Sequence, residues 1–158
     1  MEDLRPRRSR LGLAGWLMLA LSPIIAWVMV EPGQAGVTPD MPAWMVPWWA
    51  MILGWAVLDA VAGVAAWDVW RQRGFRHARV PLGLFLVVQL TLNPLWPWLF
   101  FGQLRLPGTV VIILLTILSL VLSLMFGVYR RMAGGLMLIH SAGAAYTASV
   151  AVGVLVLN

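Results

Sequence analysis

Long apolar blocks alternate with short polar segments along the whole chain. Each block is close to the ~20 residues that an α-helix needs to cross a ~30 Å hydrocarbon core. A barrel would show ~10-residue stretches of alternating polarity, whereas residues 110–128 read VVIILLTILSLVLSLMFGV. Because a bilayer admits only helices and closed barrels, the pattern predicts an all-α membrane protein, a bundle of five transmembrane helices. The predicted spans are Leu11–Val30, Trp49–Trp70, Val80–Phe101, Pro107–Tyr129 and Ala133–Leu157.

Composition agrees with this fold and narrows the function. Hydrophobic residues make up 61% of the 158 residues and charged residues 11%, roughly half the charged share of a soluble domain. The short connections leave no room for a second domain, so residues 1–158 are predicted to form one. Without cysteine there is no disulfide, thiolate metal site or cysteine nucleophile. The chain has no phosphate-binding glycine loop, HExxH or GxSxG, and His77 and His140 are too far apart in sequence to indicate a metal site. No catalytic residue and no required cofactor is predicted.

The arginines predict the orientation. All 11 basic residues are arginines, and only Arg105 lies in a loop on the side opposite to the others. The positive-inside rule then places the N-terminus in the cytoplasm and the C-terminus outside. The net charge of +5 is therefore a topology signal, suited to anionic lipid headgroups, and not a nucleic-acid surface. The ten on the cytoplasmic side are Arg5, Arg7, Arg8, Arg10, Arg71, Arg73, Arg76, Arg79, Arg130 and Arg131.

A signal peptide is the rival interpretation of the first span. Gln34–Ala35–Gly36 follows the apolar run like a cleavage site. The run is longer than the ~7–15 residues of a signal-peptide core, so the span is expected to stay in the mature protein.

The loop after span one is rich in proline and tryptophan. Trp44 and Trp48 lie in it among Pro42 and Pro47. They are interpreted either as an interfacial aromatic belt or as an aromatic lid over a cavity.

Span two carries two carboxylates with different predicted roles. Asp59 shares a stripe with Trp55 near mid-membrane, where a charged carboxylate costs about 2.5–3.5 kcal/mol on insertion scales. It is expected to face the bundle interior and be hydrogen-bonded or protonated. Asp68 lies near the cytoplasmic end, with Arg71 and Gln72 at i+3 and i+4, and is predicted to form a structural pair.

Span three places Gln89, Asn93 and Trp96 on one face, at i, i+4 and i+7. Pro94 removes a backbone donor and leaves the Leu90 carbonyl without its usual partner. The two amides either repair this break and bond to another helix, or line a ligand cavity.

Span five has two patterned faces. Ser141, Ala145, Ser149 and Gly153 recur every fourth residue, which indicates close packing within the bundle or across a homodimer. A different face carries His140 and Thr147, with Gly143 between them leaving a gap where a side chain is expected.

Together these faces indicate a pocket that is mostly apolar, with a few convergent polar groups. Asp59 and His140 are expected to act as a pair, so that ligand affinity changes between roughly pH 5 and 8, where histidine normally titrates. The alternative is an Asp59 that only bonds to a neighbouring helix. The candidate ligand-binding residues are Trp44, Trp48, Trp55, Asp59, Gln89, Asn93, Trp96, His140, Gly143 and Thr147.

Several motifs resemble those of the translocator protein family, also called tryptophan-rich sensory proteins or TspO. Residues 66–70 (AWDVW) are similar to the family's AWLVW, and residues 80–84 (VPLGL) match its VPLGL. Residues 89–93 (QLTLN), followed by Trp96–Pro97 and by 100–102 (FFG), resemble QLALN, W-[SP]-P and FFG. Pro42–Ala43–Trp44 is similar to the P-x-W of the first loop and Leu157–Asn158 to the terminal L-N.

The resemblance implies a five-helix bundle, often dimeric, with a cavity open toward the first loop. It implies binding of hydrophobic small molecules such as tetrapyrroles (porphyrin or heme type), sterols and drug-like compounds. The expected function is thus that of a sensor or translocator. A proton-coupled carrier using Asp59 and His140 and a porphyrin-degrading enzyme are the alternatives.

The chain departs from the family pattern at several pocket positions. Asp59 stands where the family usually has tyrosine, His140 replaces the pocket tyrosine and Gly143 the pocket tryptophan. These departures put ligand specificity in doubt more than the scaffold, and the lost aromatics argue against the enzyme. The other changed span-five positions are Ala151, Val152 and Leu155.

Overall fold

Five helices of membrane-spanning length make up the protein in a computed structural model that describes residues 5–30 and 40–158, with side chains from Gly12 onward. The predicted five-helix transmembrane bundle is confirmed. The spans, numbered one to five from here on, are Gly12–Met29, Trp48–His77, Arg79–Phe101, Arg105–Tyr129 and Arg131–Leu157. The side chains of Arg5, Arg7, Arg8 and Arg10 and the loop positions 31–39, with Gln34–Ala35–Gly36, lie outside the described residues.

The helices close into a ring. Span one packs against spans two and three, span two against span five, span five against span four, and span four against span three. The core contains many alanines, among them Ala62, Ala65 and Ala66 of span two, each fully buried. Because lipid tails are as apolar as side chains, close van der Waals packing at small residues is what holds such helices together.

Span one is broken in its C-terminal half. Helix Arg5–Leu21 stops at a turn over Ser22 and Pro23, and a six-residue helix, Ile24–Met29, continues. Proline has no N–H to donate to the Leu19 carbonyl, and the Ser22 hydroxyl donates to that oxygen instead, at 2.8 Å. The break at Ser22 and Pro23 therefore divides the span into two pieces with different neighbours.

Span two runs beyond its predicted end at Trp70. The helix reaches His77, but Gly74 within it has φ of 69° and ψ of 160°. A positive φ of this size is readily adopted only by glycine, so Gly74 ends the regular helix just past the bundle.

Spans four and five form a hairpin with a glycine contact. A Cβ added to Gly134 would lie 2.6 Å from the Gly127 Cα and 2.9 Å from the Ser123 carbonyl oxygen. The Ser123 hydroxyl donates to the Gly134 carbonyl at 2.8 Å. The absence of side chains on Gly127 and Gly134 thus sets how closely these two helices approach.

The small-residue stripe of span five is not the packing edge that the sequence predicts within the bundle. Ala145 and Ser149 are exposed, because the inward face is instead formed by the positions beside them, including Ala144 and Thr147. Only Ser141 and Gly153 of the stripe are buried.

Asp68 forms the structural pair with Arg71 that its spacing predicts, and it also pairs with a second arginine. Its carboxylate lies 3.1 Å from Arg71 and 3.3 Å from Arg130 of the span-four to span-five connection. Gln72 also donates to it, at 3.3 Å. The Asp68 side chain is 1% exposed, so two guanidiniums neutralise a buried carboxylate at the arginine-rich end of the bundle.

Candidate functional site

Asp59 is the centre of a polar cluster at mid-bundle. Its Oδ1 accepts a hydrogen bond from Gln89 at 2.7 Å and one from Asn93 at 2.8 Å. All three side chains are buried. The face of span three that the sequence singles out therefore binds the stripe of span two, which is the predicted bond to another helix.

A π-helical turn, Val88–Leu92, precedes Pro94 in span three. The Asn93 N–H reaches back to the Val88 carbonyl, five residues away. π turns inside α-helices are wider than the α-helix and often mark functional positions. Here the turn carries Gln89 and is followed at once by Asn93, the two donors to Asp59.

Gln89 also ties the cluster to the kink of span one. Its Nε2 donates to the Ala20 carbonyl at 2.8 Å as well as to Asp59. Ala20 lies just before the break at Ser22 and Pro23. One amide thus joins spans one, two and three.

His140 of span five lies next to Asp59. Its Nε2 is 3.5 Å from Asp59 Oδ1, too long for a good hydrogen bond. The imidazole packs edge-on to Trp55, with ring centroids 5.7 Å apart and an interplanar angle of 81°. The structure brings the predicted pair together, and its joint titration stays a prediction.

An aromatic layer lies beside the polar cluster, toward the N-terminal end of span two. Trp27 of span one is at its centre, with its ring 4.8 Å from Trp96, 5.1 Å from Trp48 and 5.9 Å from Trp55. Phe101 adds a ring 4.7 Å from Trp48. Aromatic rings whose centroids are 4.5–7 Å apart attract each other. The layer therefore holds together and fills the interior of the bundle at this level.

A small apolar cavity lies against this layer, at the end of the bundle opposite to Arg71 and Arg130. Its volume is about 10 Å³, enough for about one water molecule and far below the roughly 300–1,000 Å³ of a ligand pocket. The aromatic side chains therefore have to separate before a larger molecule can enter. The lining residues are Trp27, Met41, Met45, Trp48, Met51, Trp96, Phe100, Phe101, Thr147, Val150 and Ala151.

A strap formed by residues 40–47 covers this cavity and is fastened to span five at two points. The Tyr146 hydroxyl donates to the Trp44 carbonyl at 2.9 Å and accepts from the Val46 N–H at 3.1 Å. The Asn158 side chain accepts from the Asp40 N–H at 3.0 Å and donates to its carbonyl at 3.1 Å. The strap is thus held through its backbone while its side chains face the cavity or the exterior.

The structure separates the two tryptophans predicted to form a lid. Trp48 lines the cavity, whereas Trp44 is 56% exposed and packs on the outside against Gly153. Tyr146 holds the Trp44 carbonyl, and the strap side chains at the cavity are Met41 and Met45. Trp48 thus lies at the cavity and Trp44 outside it, and a ligand contact for either residue stays a prediction.

The gap expected at Gly143 does not exist. A Cβ placed on Gly143 would overlap Leu58, whose Cδ1 would be 2.1 Å away. Leu58 of span two occupies the space that the sequence leaves open, so Gly143 serves helix packing. Thr147 lies where predicted: it lines the cavity, and its hydroxyl donates to the Gly143 carbonyl at 3.0 Å.

Sequence reasoning missed Trp27, although it is fully buried at the centre of the aromatic layer. Its position near the C-terminal end of span one resembles that of an interfacial belt residue. The nearby Pro23 was the available signal, because a kink turns the outer piece of the helix inward. Tyr146 was also missed, because it lies in the middle of span five and nothing in its spacing indicates that its hydroxyl meets the backbone of residues 40–47.

The site has several polar atoms without a hydrogen-bond partner among the described residues. They are all buried and belong to side chains of the aromatic layer and of the Asp59 cluster, including His140. Such groups are uncommon in native proteins and call for an explanation. They are Asp59 Oδ2, Asn93 Oδ1, both ring nitrogens of His140, and the indole nitrogens of Trp27, Trp55 and Trp96.

Comparisons with known proteins find similarity to one family. The profile of the TspO/MBR family matches residues 17–157. The translocator proteins of Bos taurus and Homo sapiens are 38% and 37% identical over 77 and 76 residues, covering 48% and 47% of this chain and 45% and 44% of theirs. The protein CrtK of Rhodobacter capsulatus is 31% identical over 90 residues, 56% of each chain. The chain thus spans about half the length of the curated relatives it matches.

Proposed function

The chain belongs to the TspO/MBR family and is an integral multi-pass membrane protein, and from this we propose that it is a sensor or translocator. Its ligand is a hydrophobic small molecule of the tetrapyrrole or sterol type, bound beneath the strap. The name of its translocator relatives supports the movement of a ligand. The observation that carries the proposal is the aromatic layer with its buried, unpaired indole N–H groups next to a cavity at one end of the bundle. Large apolar ligands with a few acceptors match that lining.

Binding of a molecule of this size requires the side chains of the aromatic layer to separate. The strap is fastened by hydrogen bonds to two side chains, and the cavity side of the strap is formed by Met41 and Met45. Methionine is flexible and adapts to ligands of different shape. A ligand entering from the outer end would displace these thioethers and stack on Trp48 and Trp96.

Titration of the purified protein with protoporphyrin IX tests the proposal, with tryptophan fluorescence as the readout. We expect saturable quenching in the wild type. Trp48→Ala should weaken binding roughly two- to tenfold, because one aromatic contact is lost. Trp49→Ala is the matched control: Trp49 is 66% exposed, so its loss should leave affinity unchanged. Absence of saturable binding in the wild type, or equal affinities of the two variants, would contradict the proposed site.

We propose the orientation that the arginines indicate, with the N-terminus in the cytoplasm and the cavity at the outer face. The support is the distribution of charge: Arg71, Arg76 and Arg130 lie at one end of the bundle, and the strap lies at the other. A reporter fused after Asn158 should be active outside, and one inserted between Arg71 and Arg79 inside. A cytoplasmic signal from the reporter after Asn158 would contradict this orientation.

A further inference from the structure

The two buried carboxylates of span two are neutralised differently. Asp68 lies beside the guanidiniums of Arg71 and Arg130. Asp59 is fully buried, and no arginine with a described side chain lies within ion-pair distance of it. A buried carboxylate without a cationic partner is costly, and a positively charged group beside Asp59 would remove that cost.

The orientation of the Gln89 amide is fixed by its two contacts. Gln89 Nε2 touches two acceptors, Asp59 Oδ1 and the Ala20 carbonyl, so this atom must be the N–H₂ end of the amide. Asn93 likewise gives its Nδ2 to Asp59 Oδ1. Oδ1 is thereby used as an acceptor twice, while Oδ2 accepts from no described residue.

Two buried acceptors are therefore left for an incoming donor. They are Asp59 Oδ2 and Asn93 Oδ1. The Asn93 oxygen is free because the nitrogen of the same amide bonds to the Asp59 carboxylate. His140 does not use them: its Nε2 approaches Oδ1, at 3.5 Å, and makes no hydrogen bond there.

The walls next to these acceptors suit a cation with an apolar body. Trp27, Trp55 and Trp96 lie within 4.8–6.2 Å of one another by ring centroid. Indole faces attract ammonium groups, and this attraction strengthens when the site excludes water. Trp55 joins both parts, because it packs against Trp27 and, edge-on, against His140.

We propose that this site binds a lipophilic organic amine in its ammonium form. The ammonium N–H groups bond to Asp59 Oδ2 and Asn93 Oδ1, and the apolar body lies among the separated rings of Trp27, Trp55 and Trp96. This ligand class is additional to tetrapyrroles and sterols. The inference rests on the proposed function in one respect, that molecules enter the bundle through the aromatic layer.

A matched pair of probes tests the inference: 4-phenylbutylamine, which is cationic at neutral pH, and 4-phenyl-1-butanol, its uncharged analogue of similar size. Binding to the full chain in nanodiscs is measured by calorimetry, with empty nanodiscs as the blank. The wild type should bind the amine on the order of tenfold to a hundredfold more tightly, as expected for hydrogen bonds to a charged group. Equal binding of the two probes by the wild type would overturn the inference without any variant.

Variants then locate the preference. Asp59→Asn keeps the shape but removes the charge and should bring the amine-to-alcohol ratio to about one, while Asp59→Glu should retain part of it. Asp68→Asn, the other buried carboxylate of the same helix, should leave the ratio unchanged. A ratio that survives Asp59→Asn would overturn the inference.

Protoporphyrin IX is titrated into the same nanodiscs to separate the two proposals. Porphyrin binding without amine preference would contradict the inference and leave the proposed function standing. Amine preference without porphyrin binding would support the inference and contradict the tetrapyrrole part of the proposed function.

Discussion

Trp27→Ala is expected to lower the free energy of unfolding by about 3–5 kcal/mol, the range for deleting a buried large aromatic side chain. Trp27 is fully buried, and its ring lies within 6.4 Å of those of Trp48, Trp55, Trp96 and Phe101. In a membrane the lost energy is that of packing, since lipid offers the same apolar surroundings as the core. The substitution removes the side chain that joins span one to the rest of the layer.

Equilibrium unfolding in mixed micelles measures this effect, with Trp49→Ala as the control. Trp49 is 66% exposed, and substitutions at such positions change stability within roughly 0.5 kcal/mol. Equal destabilisation by the two variants would show that the aromatic layer does not hold the outer end of the bundle together.

Gly134→Ala is expected to destabilise the protein by about 1–3 kcal/mol, the range for overpacking. The added Cβ would meet backbone atoms of Gly127 and Ser123 at 2.6–2.9 Å. Backbone cannot rotate away as the tip of a side chain can, so spans four and five would have to move apart. That shift would also strain the hydrogen bond from Ser123 to the Gly134 carbonyl.

Gly135→Ala is the control in the adjacent position. A Cβ on Gly135 meets nothing within 4 Å, and alanine stabilises a helix relative to glycine by roughly 0.5–1 kcal/mol. The two neighbouring substitutions should therefore change the unfolding midpoint in opposite directions. A stabilising Gly134→Ala would contradict the close contact of the two helices.

The five spans were predictable because each one corresponds to a continuous apolar block of the sequence. A bilayer leaves few choices for such a block, so observed and predicted ends differ by only a few residues, except at the end of span two. There the helix continues to Gly74, and residues 71–77 are too polar for hydropathy to include them.

The polar cluster was predictable for a similar reason. Asp59, Gln89 and Asn93 are rare residue types for mid-membrane, and burying them without partners is expensive, so they had to meet. The sequence could not show that Oδ1 takes both bonds and Oδ2 neither, because this depends on the wider turn before Pro94.

Features that depend on which apolar residue fills which space were not predictable. Leu58 beside Gly143 is one apolar residue among many, and only the distance between spans two and five makes it the occupant of that position. Trp44 and Trp48 look alike in sequence, and their separation follows from Tyr146 binding the Trp44 carbonyl. Helical periodicity records which face a residue lies on and not which neighbour it meets.

The break in span one gives the molecule a short lever arm. Trp27 lies four residues beyond Pro23, roughly 6 Å along the helix axis, so tilting the outer piece by about 20° would move its backbone by roughly 2 Å. Gln89 holds the Ala20 carbonyl just before this pivot, so the N-terminal piece of the span would stay in place if the C-terminal piece tilted. A tilt of the six residues Ile24–Met29 would thus change the space beside Trp27 without any movement of the hairpin of spans four and five.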